Sequence, residues 1–206
     1  MISKSLFISS IVALICLSLS QVAFALDFSD SRGKIIEKTS EYIIRLVETP
    51  HNTTKTVEAL FIARGEPITF NRVVSDFAEY PNFMPHIRSA EFVRFEYDRA
   101  VYCFAFKIAL WTVRYSNIFT HTINQPDHYA LKWDYVKGDL KNTNGSWDIK
   151  KYSGKKGYSI IHYTLFIETG KLVPAWLENN LTAGAVPAMI SAIGRRARFL
   201  ENSTGK

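Results

Sequence analysis

Two polar residues lie within an aromatic β-strand pattern and are well placed to hold a polar atom. Asn117 and His121 alternate along the chain with Trp111 and Tyr115, so a strand would place all four side chains on one face. An amide and an imidazole on an apolar face could orient an oxygen of a quinone or a sterol, or polarise a carbonyl. The alternative for His121 is an exposed position near the strand end, with no role in binding.

The face that carries these residues is rich in aromatic side chains. By alternation, the inward set comprises Phe95, Tyr97, Trp111, Tyr115, Phe119, Trp133, Tyr135 and Trp147. For any single residue, the alternative is ordinary core packing with its polar atom satisfied. Taken together, the set favours an apolar pocket with a few polar groups, which is how ligand sites are usually built.

Residues from other segments complete the predicted pocket. Tyr163 is assigned inward because it alternates with Ile161 and Leu165, although both faces of that strand are partly apolar. Met84 is expected at the lip of the pocket. Trp176 and Met189 are expected on the opposite wall, and methionine adapts to varied apolar shapes. Ordinary packing is the alternative for these three residues.

An enzyme or a metal site would be the competing explanation for these residues. The sequence has no Gly-x-Ser-x-Gly elbow and no phosphate-binding glycine loop, and its five histidines show no metal-ligand spacing. We therefore predict no catalytic residue, no metal and no cofactor. A general acid–base pair would have to combine tyrosine, histidine or asparagine side chains across strands.

Hydrophobic periodicity gives the elements that must position these residues. Segments 41–48 and 56–63 are predicted strands, and an apolar stripe over 70–77 has helical spacing. Alternation from 89 to 168 predicts a run of antiparallel strands. Apolar residues at steps of three and four over 174–200 predict one long helix. We therefore predict an α+β domain in which a curved antiparallel sheet wraps around the C-terminal helix.

Three segments of the chain resemble one protein superfamily. The run Val73–Pro85 is similar to the "V…D…YP.F.P" segment of the polyketide cyclase/dehydrase and coenzyme-Q-binding branch of the START-like (SRPBCC) superfamily. Gly145-Ser-Trp147 resembles that branch's "G.W" strand. The segment 174–177, which leads into a helix with a basic end, is also similar. The resemblance spans residues 41–200, nearly the whole predicted mature chain.

This resemblance implies a helix-grip fold with an internal apolar cavity between sheet and helix. Members of the superfamily mostly bind lipids, sterols, isoprenoid quinones or polyketides, and a minority catalyse cyclisation or dehydration. Fold analogy alone does not identify the ligand.

The N-terminal 25 residues have the pattern of a cleavable signal peptide. Lys4 is their only charge, an apolar run follows, and Ala23-Phe24-Ala25 is a small-x-small cleavage site. We predict a signal peptide at 1–25, a loosely held arm at 26–40, the ligand-binding domain at 41–200 and a tail at 201–206. The expected location is periplasmic or secreted.

Charge and cysteine content limit the partners. The net charge is +6, but the basic residues are spread along the chain. We expect no nucleic-acid partner and, at most, transient contact with a membrane surface. Cys103 is the only cysteine after the predicted signal peptide, so an internal disulfide is excluded. We expect a monomer.

These observations favour an exported carrier for a lipid, an isoprenoid quinone or a sterol-like molecule. The first alternative is a polyketide cyclase or dehydratase that uses Tyr115, Asn117, His121 and Tyr163. The second is a protein-interaction domain with a closed core.

Overall fold

A computed structural model describes residues 26–49, 54–108, 110–169 and 184–204. The predicted signal peptide, Trp176 and the first part of the predicted C-terminal helix lie outside these residues.

Nine strands account for most of the described chain. In chain order they are β1 (Lys34–Lys38), β2 (Tyr42–Val47), β3 (Thr56–Arg64), β4 (Ile87–Glu96), β5 (Arg99–Ile108), β6 (Trp111–Gln125), β7 (His128–Gly138), β8 (Leu140–Lys151) and β9 (Tyr158–Thr169).

Helical segments follow β3 and β9. They are α1 (Pro67–Ser75), a 3-10 turn (Phe77–Glu79), α2 (Tyr80–Phe83) and α3 (Val186–Thr204). Pro67 occupies the first turn of α1, where its missing N–H costs nothing. Within the ranges given above, no helix is long and apolar enough to cross a bilayer.

The strands form one antiparallel sheet in the order β1-β2-β3-β9-β8-β7-β6-β5-β4. β4 to β9 run as a meander, and β9 then pairs with β3. Register shifts interrupt the β4–β5, β6–β7 and β8–β9 pairings. Such irregularities bend strands and increase their twist, which gives the sheet a concave face. The predicted curved antiparallel sheet is confirmed.

The helices cover part of this concave face. α3 buries Val186, Met189, Ile193 and Ala197, which recur at helical spacing. It packs against α1 and β3, while α1 packs against β7 and β8. The C-terminal part of the predicted long helix is therefore confirmed. The observed helix ends at Thr204, four residues beyond the predicted end at residue 200.

Residues 26–40 were predicted to be a loosely held arm, but parts of this segment pack against the sheet. Lys34–Lys38 pairs with β2 as an edge strand. Arg45 of β2, only 2% exposed, donates from Nε to Glu58 at 2.8 Å and from Nη1 to Asp30 at 2.7 Å. Its guanidinium also lies 3.8 Å from the ring centroid of Phe28. A buried cation needs such partners, so residues 28–30 are held against the sheet.

Gly145 of β8 lies directly opposite Trp133 of β7. A Cβ atom on this glycine would clash with the indole ring of Trp133 and with the backbone oxygen of Thr164. The missing side chain therefore lets the indole lie flat across β8. This gives a physical reason for the glycine of the "G.W" segment.

We predict that Gly145→Ala destabilises the domain by about 1–3 kcal/mol, because the added methyl group must displace the indole or the backbone. Urea unfolding followed by circular dichroism measures the change. Gly194→Ala is the matched control, since its Cβ would meet only the end of the Arg198 side chain, at 3.7 Å. Alanine favours helix at that site, so the control should unfold at the same or a higher urea concentration. Equal stability of Gly145→Ala and the wild type would contradict this packing.

Candidate ligand-binding cavity

A cavity of about 130 Å³ lies between the concave face of the sheet, the first turn of α3 and the segment after α2. Its described lining is apolar or aromatic apart from a few neutral polar groups. The lining residues are Tyr80, Met84, Pro85, Ile87, Phe104, Phe106, Val113, Tyr115, Asn117, Phe119, Trp133, Leu140, Thr143, Trp147, Tyr163, Leu165, Ile167, Ala185, Val186 and Met189.

The cavity has a buried interior and a half-exposed rim. Phe104, Trp147 and Leu165 are buried in the interior. Met84, Pro85 and Ile87, just after α2, are half-buried, as is Ala185 at the start of α3. The rim therefore lies between the segment 84–87, which we call the lip, and the start of α3.

Aromatic rings in mutual contact form the floor of the cavity. Trp133 lies 6.3 Å from Phe119 and 5.9 Å from Tyr163, measured between ring centroids. Tyr163 in turn lies 4.3 Å from Trp147. Each ring is supported by its neighbours, so the floor presents a continuous and rigid apolar surface.

The tyrosines of the cavity differ in whether their hydroxyl groups have a hydrogen-bond partner among the described residues. Tyr80 donates to the backbone oxygen of Val74 at 2.6 Å. For Tyr115 and Tyr163, the described residues provide no hydrogen-bond partner. Burial raises the pKa of both phenols well above the ordinary value, and the neighbouring Tyr115 adds to the effect at Tyr163. Both hydroxyls therefore stay protonated at neutral pH and can donate.

Asn117 is the most deeply buried amide of the cavity. It is 4% exposed, and its Oδ1 has no hydrogen-bond partner among the described residues. On its two sides it pairs with Tyr102 of β5 and Tyr135 of β7. The register shift between Ser116 and Asn117 falls at this position of the β6–β7 pairing. Such shifts commonly redirect side chains next to binding sites.

An ion pair connects α3 to the segment that leads to the lip. Nη2 of Arg196 lies 3.1 Å from Glu79 and 3.8 Å from Asp76. The Arg196 guanidinium also lies 5.5 Å from the ring centroid of Phe83. Asp76, at the N-cap position of the 3-10 turn, makes no capping hydrogen bond and instead faces Arg196. These contacts hold α3 against residues 76–83, the segment that leads to the lip.

The structure brings most of the sequence-predicted site residues to the cavity. The residues that line it are Met84, Tyr115, Asn117, Phe119, Trp133, Trp147, Tyr163 and Met189. They come from four strands, the lip and α3. Whether they bind a ligand remains a prediction.

Four predicted residues do not reach the cavity. Phe95 and Tyr97 lie at the end of the edge strand β4, where they are 68% and 96% exposed. Trp111 follows the β5–β6 turn and is 42% exposed. His121 is exposed because it extends beyond the start of β5, whose Ala100 pairs with Phe119. Alternation indicates the face of a strand, but it does not indicate where the cover over that face ends.

Other cavity residues were not assigned from the sequence. Phe104 and Phe106 alternate along β5 and pair with Tyr115 and Val113, so the same alternation rule could have identified them. No comparable pattern in the sequence identifies Thr143, Leu140 and Val186 as cavity residues. Cys103 of β5 is half-buried. The described residues contain no group of three or more His, Cys, Asp or Glu side chains that could hold a metal ion.

A family model supports the relationship suggested by the sequence segments. Residues 72–193 match the family described as polyketide cyclase/dehydrase and lipid transport. This match covers more than half of the chain. A search of curated protein sequences gives no significant match.

Solved structures share the fold at low sequence identity. A STAR-related lipid transfer protein from Xanthomonas axonopodis has a TM-score of 0.69 and 12% identity, covering 82% of this chain and 99% of its own. Human StAR-related lipid transfer protein 5 has a TM-score of 0.73 and 7% identity, covering 84% and 90%. A START superfamily protein from Mycobacterium smegmatis has a TM-score of 0.60 and 16% identity, covering 70% and 98%.

At these identities the structural likeness shows the fold, which is the predicted START-like helix-grip fold, and not the ligand. With the match over residues 72–193, it shows that this chain belongs to the polyketide cyclase/dehydrase and lipid transport family.

Proposed function

We propose that this chain is an exported, monomeric carrier that holds one apolar molecule in its cavity. The candidate ligands are a lipid, an isoprenoid quinone and a sterol-like molecule. The observation that carries the proposal is the cavity itself, an aromatic and aliphatic pocket with a few neutral polar groups. Two of the structures that share this fold are described as lipid transfer proteins, which agrees with such a role.

The size of the cavity limits how a ligand would sit. A dry cavity of about 150 Å³ holds one benzene ring, and drug-sized ligands need roughly 300–1,000 Å³. At about 130 Å³, this cavity encloses about one ring, and a second, fused ring would reach the half-exposed rim. A longer molecule would place its ring or head group against the aromatic floor. The rest of it would extend through the rim, or the lip would move away from α3.

The experiment that tests the carrier proposal is native mass spectrometry of the exported protein. The full-length chain is expressed with its own N-terminal segment and purified without detergent. We expect a polypeptide that begins at Leu26 and carries one neutral molecule, which is lost under denaturing conditions. Organic extraction followed by mass spectrometry then identifies this molecule. An unloaded protein that also takes up no lipid from vesicles would contradict the proposal.

The hairpin between β5 and β6 gives the carrier a surface for membrane contact. Leu110 in its turn is 97% exposed, and Trp111 is 42% exposed. The strands beside this turn carry Phe106 and Val113, which line the cavity. The backbone N–H of Lys107 donates to the oxygen of His86 at 2.8 Å, which places the hairpin beside the lip. Exposed leucine and tryptophan side chains next to a ligand rim suit insertion into a lipid surface.

We predict that Leu110→Ser weakens binding to vesicles of phosphatidylcholine and phosphatidylglycerol by about tenfold, because one leucine side chain no longer enters the apolar layer. Co-sedimentation with vesicles measures the partition coefficient. Phe95→Ser is the control, since Phe95 is 68% exposed at the opposite end of the β4–β5 hairpin. Equal losses in the two variants would contradict a membrane contact made by the β5–β6 turn.

A further inference from the structure

A patch of aromatic side chains lies uncovered on the concave face of the sheet, beyond the 3-10 turn. Phe92 of β4 is 49% exposed and pairs with Tyr102 of β5, and their ring centroids lie 5.6 Å apart. We call these two residues the shelf. Phe95 packs against Phe92, with 4.9 Å between the ring centroids. Exposed rings in mutual contact commonly mark a place where an apolar partner binds.

The shelf continues the wall of the cavity along one strand. Alternate residues of β5 point to the concave side, and two of them, Phe106 and Phe104, line the cavity. The next residue in this row is Tyr102 of the shelf, whose ring centroid lies 6.3 Å from that of Phe104. An apolar chain that leaves the cavity along β5 would therefore pass from one aromatic ring to the next.

The ring of Phe77 lies between the cavity and the shelf. Phe77 is the buried residue of the 3-10 turn. Its ring centroid lies 4.0 Å from that of Phe119, which lines the cavity, and 4.9 Å from that of Tyr102. A 3-10 turn of three residues is weakly stabilised, because its hydrogen-bond geometry is poor. A shift of this one turn would open a path between the two spaces.

Arg196 of α3 holds the turn that carries Phe77. Its Nη2 lies 3.8 Å from Asp76, just before Phe77, and 3.1 Å from Glu79, at the end of the turn. Both carboxylates are partly exposed, and ion pairs of this kind contribute only modestly to stability. A ligand that gains contacts with the shelf can therefore offset the loss of these ion pairs.

We propose that the shelf is a second binding site, which takes the apolar chain of a ligand whose ring lies in the cavity. Phe77 turns aside when such a ligand binds, and the chain follows β5 to the shelf instead of leaving through the rim. The cavity encloses about one ring, so the rest of a larger molecule needs another apolar surface. The inference rests on the proposed carrier function and adds to it the place where the chain of the ligand lies.

Two spin labels distinguish the shelf from the rim. Tyr97→Cys in the β4–β5 turn and Leu110→Cys in the β5–β6 turn each carry a nitroxide, in a protein that also has Cys103→Ala. The two native side chains are 96% and 97% exposed and lie at opposite ends of β5, which is about 30 Å long. The ligand is 4-octylphenol with an isotope-labelled terminal methyl group, added to the unloaded protein.

Nuclear magnetic resonance of the bound ligand gives the position of its chain. We expect the Tyr97→Cys label to broaden the methyl signal strongly and the Leu110→Cys label to leave it nearly unchanged. The reverse pattern overturns the proposal, because the chain then leaves through the rim. Equal broadening by the two labels overturns it as well. Both labelled sites are exposed, so the labels do not disturb the core.

A truncation at the shelf gives a second readout. Phe92→Ser should weaken the binding of 4-octylphenol about tenfold, because the chain loses an aromatic contact. Phenol has no chain and should bind this variant as it binds the wild type. Ile35→Ser is the matched control, since Ile35 is 46% exposed on β1, the opposite edge strand, and both affinities should stay unchanged. Titration calorimetry measures these affinities. An unchanged affinity of Phe92→Ser for 4-octylphenol overturns the shelf.

A change at Arg196 tests the role of the turn. Arg196→Met removes the ion pairs, so 4-octylphenol should bind several-fold more tightly while the affinity for phenol stays the same. Arg195→Met is the control, because Arg195 is exposed and bonds to Ser191 of its own helix. Equal effects of the two variants would overturn the part that the turn plays, and circular dichroism verifies that both fold.

The outcomes separate this inference from the function on which it rests. If 4-octylphenol binds the wild type no more tightly than phenol does, the shelf is overturned but an apolar binding cavity remains. If neither compound binds a protein that carries a cargo on purification, only this inference is overturned. If neither binds and the purified protein is also empty, the carrier proposal is contradicted too.

Discussion

The structure depends on covering the concave face of one long, curved antiparallel sheet. Strands of up to 15 residues line up apolar and aromatic side chains on that face, and water must be kept from them. Among the described residues, α1, α3 and the turns of residues 77–83 cover part of this face. Trp133 and Tyr163 contact each other and line the cavity that remains between the sheet and these elements.

The same arrangement sets the shape and the polarity of the cavity. Its rim lies between the lip and the start of α3, and the Arg196–Glu79 ion pair ties α3 to the segment that leads to the lip. The floor is rigid because each ring packs against the next. Its polar groups are few, and those of Tyr115, Asn117 and Tyr163 have no partner among the described residues. The shape of the cavity therefore sets how much of a ligand can enter.

The sequence predicted the fold well because periodicity and element order are local properties. The strands, the short helix after Pro67 and the C-terminal helix follow from alternation and helical spacing. Most predicted cavity residues lie on strands central to the sheet. There, the side of the sheet to which a side chain points decides whether it is buried. Phe95, Tyr97, Trp111 and His121 obey the same alternation but lie at an edge or a strand end. Their exposure depends on where other elements stop, which no local pattern contains. The partners of Arg45 were missed for a similar reason, since Glu58 and Asp30 are distant in sequence.

The most direct test of the account is whether filling the cavity removes binding without unfolding the protein. Val113→Phe adds a ring at the wall of the cavity, where Val113 is 4% exposed, and Val93→Phe makes the same change at a site that is 42% exposed. Titration calorimetry with cyclohexanol, a one-ring compound of the size that the cavity encloses, measures binding, and circular dichroism verifies folding. The account predicts that Val113→Phe weakens binding about tenfold or more, because the phenyl group occupies the ligand's space, while Val93→Phe binds as the wild type does. A folded Val113→Phe variant that binds cyclohexanol as tightly as the wild type would contradict it.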